Sequence, residues 1–275
     1  MKKILIPIDF SENSQKALKA AKTIANETGA ELAIMHTSQS ENTGIAMPMT
    51  ESTHVMLDEL ENSYKQQLDE YVAGAQSEGY QVKGIWESNA IQTAILRQAN
   101  YINADLIVVG RTGQGTFIDK LIGSSSTAIA LEASCPVLVV PAQATLKGFK
   151  NIVYATQFDP QETQILHQVK VLTEQLGAKL SLVKINSFHE PECHADQAHM
   201  LRTIQELDMA EMDVVIVEDV SFIEGINKFC YQRGADLLIV SNRERYFLQQ
   251  YLTNPSMTRR LVVETHLPLL VYHIR

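Results

Sequence analysis

Cysteine is scarce in this sequence: Cys135, Cys193 and Cys230 are its only three, widely spaced and without a C-x-x-C pair. That usage excludes a disulfide scaffold and fits a reducing compartment. No apolar run approaches the length of a membrane span, and Met1-Lys2-Lys3 leads straight into a strand pattern without a signal peptide, so a cytoplasmic protein is expected. Basic residues are outnumbered, with 23 Lys and Arg against 32 Asp and Glu and a net charge of −9, which argues against a nucleic-acid surface. A nucleotide is still admissible, because backbone amides rather than lysines can carry phosphates. The familiar phosphate motifs are missing too. Lys120 is followed by Leu121, so there is no G-x-x-x-x-G-K-[ST], and Gly113-x-Gly115 lacks the third glycine of the dinucleotide fingerprint.

What is present is an ordinary globular composition, 45% hydrophobic over 275 residues, enough for one large or two medium domains. The most informative stretch begins at Leu106-Ile107-Val108-Val109, a short β-branched run that reads as a buried strand. Gly110 and Gly113 follow, then a nine-residue excursion, then Gly123 and the hydroxyl run Ser124-Ser125-Ser126. Glycines let backbone amides approach a ligand closely. A helix start offers unpaired N–H groups and a positive dipole end, and Ser124 to Ser126 are N-cap candidates for a helix from about Ser125 to Ala133. The stretch reads as a phosphate cradle at the carboxyl end of a parallel strand.

The rest of the first half alternates strand and helix patterns. Lys3 to Asp9 is a strand, despite Pro7 near its end. Ser11 caps a helix that Gly29 ends, and Glu31 to Thr37 is the second strand. A long loop over Ser38 to Thr53 precedes a helix from about His54 to Glu78. Gln81 to Trp86, the helix Ile91 to Ala99, the cradle strand and Pro136 to Pro141 complete the unit. Alternating β and α units with buried strands imply a parallel, doubly wound α/β sheet. The pattern then restarts. Lys150 to Phe158 mirrors Lys3 to Phe10, and Gly177-Ala178-Lys179-Leu180 mirrors Gly29-Ala30-Glu31-Leu32. Gly234-Ala235-Asp236-Leu237 follows Asn103-Ala104-Asp105-Leu106, and His266-Leu267-Pro268 follows Ser134-Cys135-Pro136. The chain is a tandem duplication, residues 1–141 and 149–275, with Ala142 to Gly148 as linker.

Gly110, Gly113, Gly123 and Ser124 fill every fixed place of the G-x-x-G-x9-G-[ST] signature, and the whole chain resembles a tandem universal stress protein of the ATP-binding kind. The resemblance implies two domains of flavodoxin-like, Rossmann-like layering. It places ATP (or ADP or AMP), with Mg2+ held mainly by phosphate oxygens and water, in the first domain. Pro7, Ile8 and Asp9 would stand at the nucleotide, with Asp9 accepting from the ribose hydroxyls. Thr37 would read the adenine edge through its backbone. Gly110, Arg111, Gly113, Gly123, Ser124 and Ser125 would surround the phosphates. The same resemblance implies an intramolecular pseudo-dimer whose fifth strands meet, and allows a homodimer beyond it. In the second half Ser241 stands at the first glycine position, Gln157 at that of Asp9, and Glu244 and Pro255 lie where phosphates would need amides. One nucleotide site per chain is the expectation.

His189, Cys193, His194 and His199 cluster in the second half; nitrogen and sulfur suit Zn2+, but the spacing matches no standard structural pair, so ligands and ordinary loop residues both stand as readings. No general base stands beside the cradle, so any ATPase activity is expected to be slow. An ATP-linked sensor or switch is the leading reading. A nucleotide-independent interaction protein is the main rival. A nucleotidyl transferase would need an H-x-G-H or Ser-Gly-Gly stretch that the sequence lacks.

Overall fold

Among the described residues, ten short apolar runs form ten strands, and all join one sheet. The computed structural model describes residues 1–38, 51–111, 119–188, 197–210, 213–243 and 257–274, and the backbone alone at 51–54, 119–124, 197–199, 243 and 257. In the first half β1 (Lys3–Pro7), β2 (Glu31–Thr37), β3 (Val82–Glu87), β4 (Leu106–Arg111) and β5 (Val137–Pro141) alternate with α1 (Glu12–Thr28), α2 (Glu51–Ser77), α3 (Ile91–Tyr101) and α4 (Asp119–Glu132). The second half repeats this with β6 (Asn151–Ala155), β7 (Lys179–Ser187), β8 (Val214–Asp219), β9 (Leu237–Arg243) and β10 (Leu269–Ile274). Its helices are α5 (Thr163–Gln175), α6 (Gln197–Glu206), α7 (Phe222–Arg233) and α8 (Met257–Glu264), with a 3-10 turn over Pro160–Glu162 before α5.

The sheet order is β3-β2-β1-β4-β5-β10-β9-β6-β7-β8, so each half is wound 3-2-1-4-5 with parallel neighbours. The two fifth strands pair antiparallel, Leu138 facing Leu270, Val139 facing Leu269 and Val137 facing Val271, which relates the halves by a pseudo-two-fold through Leu138 and Leu270. Both faces of the sheet are covered. Ile4, Ile6, Val108 and Leu138 pack under α1 and α2, while Leu5, Ile107, Val109 and Val139 pack under α3 and α4. Burial on both faces is why the strands read as continuous apolar runs rather than alternating ones.

The repeated landmarks have structural causes. Asp105 Oδ2 accepts the backbone amides of Lys2 at 2.7 Å and Lys3 at 2.9 Å, and Asp236 accepts those of Lys150 at 2.8 Å and Asn151 at 3.1 Å. Each Ala-Asp-Leu therefore pins the start of the neighbouring central strand. Ser11 caps α1 by accepting from the Ser14 amide, and Gly29 closes it at φ 71° with a bond to the Ala25 carbonyl. Pro7 is tolerated because β1 and β4 are registered only at Ile4 and Leu5, while Ile8 N still donates to Met35 O at 2.7 Å on the other side.

One boundary differs from the expectation. Helix α4 begins at Asp119, not at Ser125, so Gly123 lies inside it and Ser124, Ser125 and Ser126 are past its first turn rather than capping it. A glycine within a helix costs only about 1 kcal/mol relative to alanine, and Asp119 to Ile122 extend the helical run upstream. Among the described residues no helix is long and apolar enough to cross a membrane.

Candidate functional site

The strand order reverses between β1 and β4, and the crevice outside their carboxyl ends is where open α/β sheets take ligands. Ile8 is buried there, Pro7 half-buried and Asp9 exposed. Asp9 Oδ1 accepts from the Ser11 amide at 3.1 Å and the Ser11 hydroxyl at 2.6 Å, so this carboxylate helps to start α1. Partial burial pushes its carboxyl upward, and the hydrogen bonds from Ser11 and Ser14 outweigh that, holding Asp9 below the usual aspartate value. A lowered folded-state pKa contributes stability that is complete above about pH 4 and is lost as the pH falls through the lowered value. Asp9→Asn should therefore be less stable than wild type at neutral pH, with the gap closing in that acid window; urea titrations at pH 7 and in steps below pH 4 check this.

Gly110 faces the first turn of the same helix. A Cβ at Gly110 would lie 2.6 Å from the carbonyl carbon of Asn13, closer still to its oxygen, and 3.1 Å from the Ser14 amide nitrogen. The first glycine of the signature is thus required for packing α1 onto β4. Ser126 Oγ, from α4, donates to the Gly110 carbonyl at 2.9 Å, which joins the end of the signature to its beginning. Ser125 is half-buried in α4, and Thr37 ends the neighbouring β2. Gly113 lies outside the described residues, and Gly123 and Ser124 are described by backbone alone.

Arg111 corrects the sequence reading. Its side chain was expected at the phosphates; instead the residue is 5% exposed and its guanidinium crosses to the second half, where it donates to the carbonyls of Val262 and Thr265 at the end of α8. Helix C-terminal carbonyls are unpaired acceptors at the negative end of a dipole, a strong destination for a buried cation.

An aromatic cluster beside the crevice escaped the sequence reading. Phe10, at φ 63°, stacks on His36 with ring centroids 4.6 Å apart, and His36 lies 5.2 Å from both Tyr64 and Trp86. His36 Nδ1 is 2.8 Å from the Ile8 carbonyl, which can only accept, so this nitrogen carries the proton. Lys65 Nζ stands 5.2 Å from the Trp86 ring centre. The available signal was the repetition of Phe10 as Phe158, which also has positive φ, at 54°.

The second-half crevice is built differently. Glu162, 1% exposed, occupies it. Its carboxylate accepts from Thr156 Oγ1 at 2.7 Å, the Gln157 amide at 2.9 Å, Tyr154 Oη at 3.3 Å and Ser241 Oγ. Burial, then the Glu162 charge, push the Tyr154 hydroxyl well above its ordinary pKa, so it stays a donor. Glu244 and Pro255 lie outside the described residues, as do His189, Cys193, His194 and the side chain of His199.

Two halves wound 3-2-1-4-5, joined edge to edge through their fifth strands, define a tandem doubly wound α/β protein. The model of the universal stress protein family matches residues 1–141 and again residues 148–273, and the chain belongs to that family. It is 32% identical over 145 residues to the universal stress protein YxiE of Bacillus subtilis, a match covering 50% of this chain and 97% of the relative. A universal stress protein of Methanocaldococcus jannaschii is 30% identical over 139 residues, covering 50% and 81%. Among solved structures, a universal stress protein from Archaeoglobus fulgidus shares the fold over 99% of this chain and 96% of its own, with TM-score 0.75 and 18% identity.

Proposed function

We propose that the chain binds one adenine nucleotide, ATP with Mg2+, or ADP or AMP, in the first-half crevice, and that occupancy switches its conformation or partners. The asymmetry of the two crevices carries this reading. The first presents an exposed carboxylate, Asp9, just past the end of β1; the second is filled by the carboxylate of Glu162 and the Ser241 hydroxyl. Those residues fit a nucleotide: Asp9 would accept from ribose hydroxyls, and the unpaired amides in the first turn of α4 would offer phosphate oxygens donors without lysine. Mg2+ would be held chiefly by phosphate and water.

The rival, a nucleotide-independent interaction protein, is favoured by one observation: packing against Asn13 explains Gly110 without any ligand. Calorimetric titration with ATP and magnesium separates the two. Wild type should bind, and Asp9→Ala should weaken binding about 10- to 100-fold, the value of one or two charge-assisted hydrogen bonds. Gly123→Val should weaken it further. A folded Gly123→Val protein with unchanged affinity would leave the rival as the better account.

A further inference from the structure

Helix α2 is too long for the strands it covers. Its 27 residues span about 40 Å, whereas the six residues of β3 span about 20 Å. From Tyr64 onward it packs on the sheet, with Tyr64 against Phe10 and His36 and with Leu68 and Ala75 buried. Upstream of that point its apolar side chains stand in solvent: Met56 is 71% exposed and Leu60 47%, with Val55 and Leu57 exposed beside them. A contiguous apolar patch of this kind marks a contact surface. The other half of the same helix offers the complement. Between α1 and the C-terminal part of α2 runs an open groove of about 520 Å³, lined by Leu18, Tyr71 and Ala75. Gly74 opens it, because a Cβ there would meet nothing within 4 Å.

Ridge and groove lie on one stripe of α2. Met56, Leu60, Ser63, Gln67 and Gly74 follow spacings of four, three, four and seven, which keep them on one helical face. Leu60 and Gly74 are each seven residues from Gln67, and Met56 and Glu78 are each eleven. An antiparallel pair of α2 helices with its two-fold beside Gln67 therefore sets Leu60 of each copy against Gly74 of the other, a large side chain into the place of a missing one. Met56 then reaches the end of the groove at Glu78, where Lys22 Nζ is 2.8 Å from the carboxylate. Charge agrees with this register. Leu57 shares the phase of the buried Leu68 and Ala75, so it and Glu61, one turn on, come down on α1 of the other copy, where Lys19 and Lys22 line the groove. Glu59 and Glu70 stay on the outer rim, where water screens them.

We propose that a second copy of this chain covers the exposed end of α2, the two α2 helices lying antiparallel about a two-fold at Gln67. The interface is isologous, so each ridge-in-groove contact occurs twice. The fifth-strand edges already pair within the chain, which leaves helical faces for association between chains. This surface is separate from the nucleotide crevice and does not depend on it.

Sedimentation equilibrium of the full chain tests the proposal. Wild type should form a dimer with a dissociation constant in the micromolar range, as modest interfaces give. Leu60→Glu should weaken the dimer about 30-fold or more, the effect of losing a central anchor. Gly74→Leu should weaken it as well, by filling the groove. Both positions are exposed in the single chain, so circular dichroism and urea midpoints of the two variants, taken on dilute protein, should match wild type. A short bis-maleimide should link Gln67→Cys chains into a covalent dimer, well above the background set by wild type and by Asp69→Cys, which lies off the stripe. A wild-type chain that stays monomeric into the millimolar range overturns the proposal. So does a dimer that survives both variants, or one that Gln67→Cys does not link, since the copies then meet through another face.

Discussion

Glu162→Ala is expected to destabilise the protein by about 3 to 5 kcal/mol, because it strands several buried neutral donors at about 1 to 3 kcal/mol each. The carboxylate is 1% exposed and receives the Thr156 and Tyr154 hydroxyls, the Gln157 amide and the Ser241 hydroxyl. Truncation strands those donors in a site that water reaches poorly, and each unsatisfied donor carries its own desolvation penalty. It also dismantles the capping box over Asp159–Glu162, in which the Glu162 side chain accepts from the Asp159 amide. Glu162→Gln should cost less, because one acceptor oxygen survives while the new NH2 group meets donors. Urea unfolding measures both; a shifted midpoint with an unchanged slope identifies lost stability. A change below about 1 kcal/mol in Glu162→Ala would mean the network is solvent-satisfied and that Glu162 does not occlude the second crevice.

Gly110→Val should lower the thermal midpoint by roughly 5 to 12 °C. Overpacking a filled core costs about 1 to 3 kcal/mol, and a clash with backbone that cannot rotate away sits at the top of that range. Domains of this size lose about 2 to 4 °C per kcal/mol. The added Cβ would lie 2.6 Å from the Asn13 carbonyl carbon, so α1 must lift from β4, and the crevice widens with it. Gly74→Ala is the control. Its Cβ would meet nothing within 4 Å and it lies inside α2, so this substitution should raise the midpoint slightly. Equal effects from the two variants would contradict the packing account of Gly110.

How much of this was legible in the sequence depends on the range of the contacts involved. Strands such as Leu106–Arg111 and Val137–Pro141 were readable because burial on both faces leaves an unbroken apolar run. The duplication was readable because Asp105 and Asp236 do the same local work. The start of α4 was not, since Gly123 followed by three serines looks like a helix boundary while the helix in fact runs through them from Asp119. Arg111 was misread because its acceptors are more than 150 residues away, where no local pattern points. The stack of Phe10, His36, Tyr64 and Trp86 draws one residue from each of four separate segments, so periodicity reports each only as a core position. Glu162 reads locally as a capping residue, which it is; its second role needs Ser241 from the far strand.

Stoichiometry tests the central claim most directly. Native mass spectrometry of the intact chain, stripped of nucleotide and then titrated with ATP and magnesium, should show a single adduct per chain that saturates, and Glu162 should keep the second half empty at every concentration. Two adducts of similar affinity would contradict the one-site account, and none in a folded protein would contradict the nucleotide account altogether.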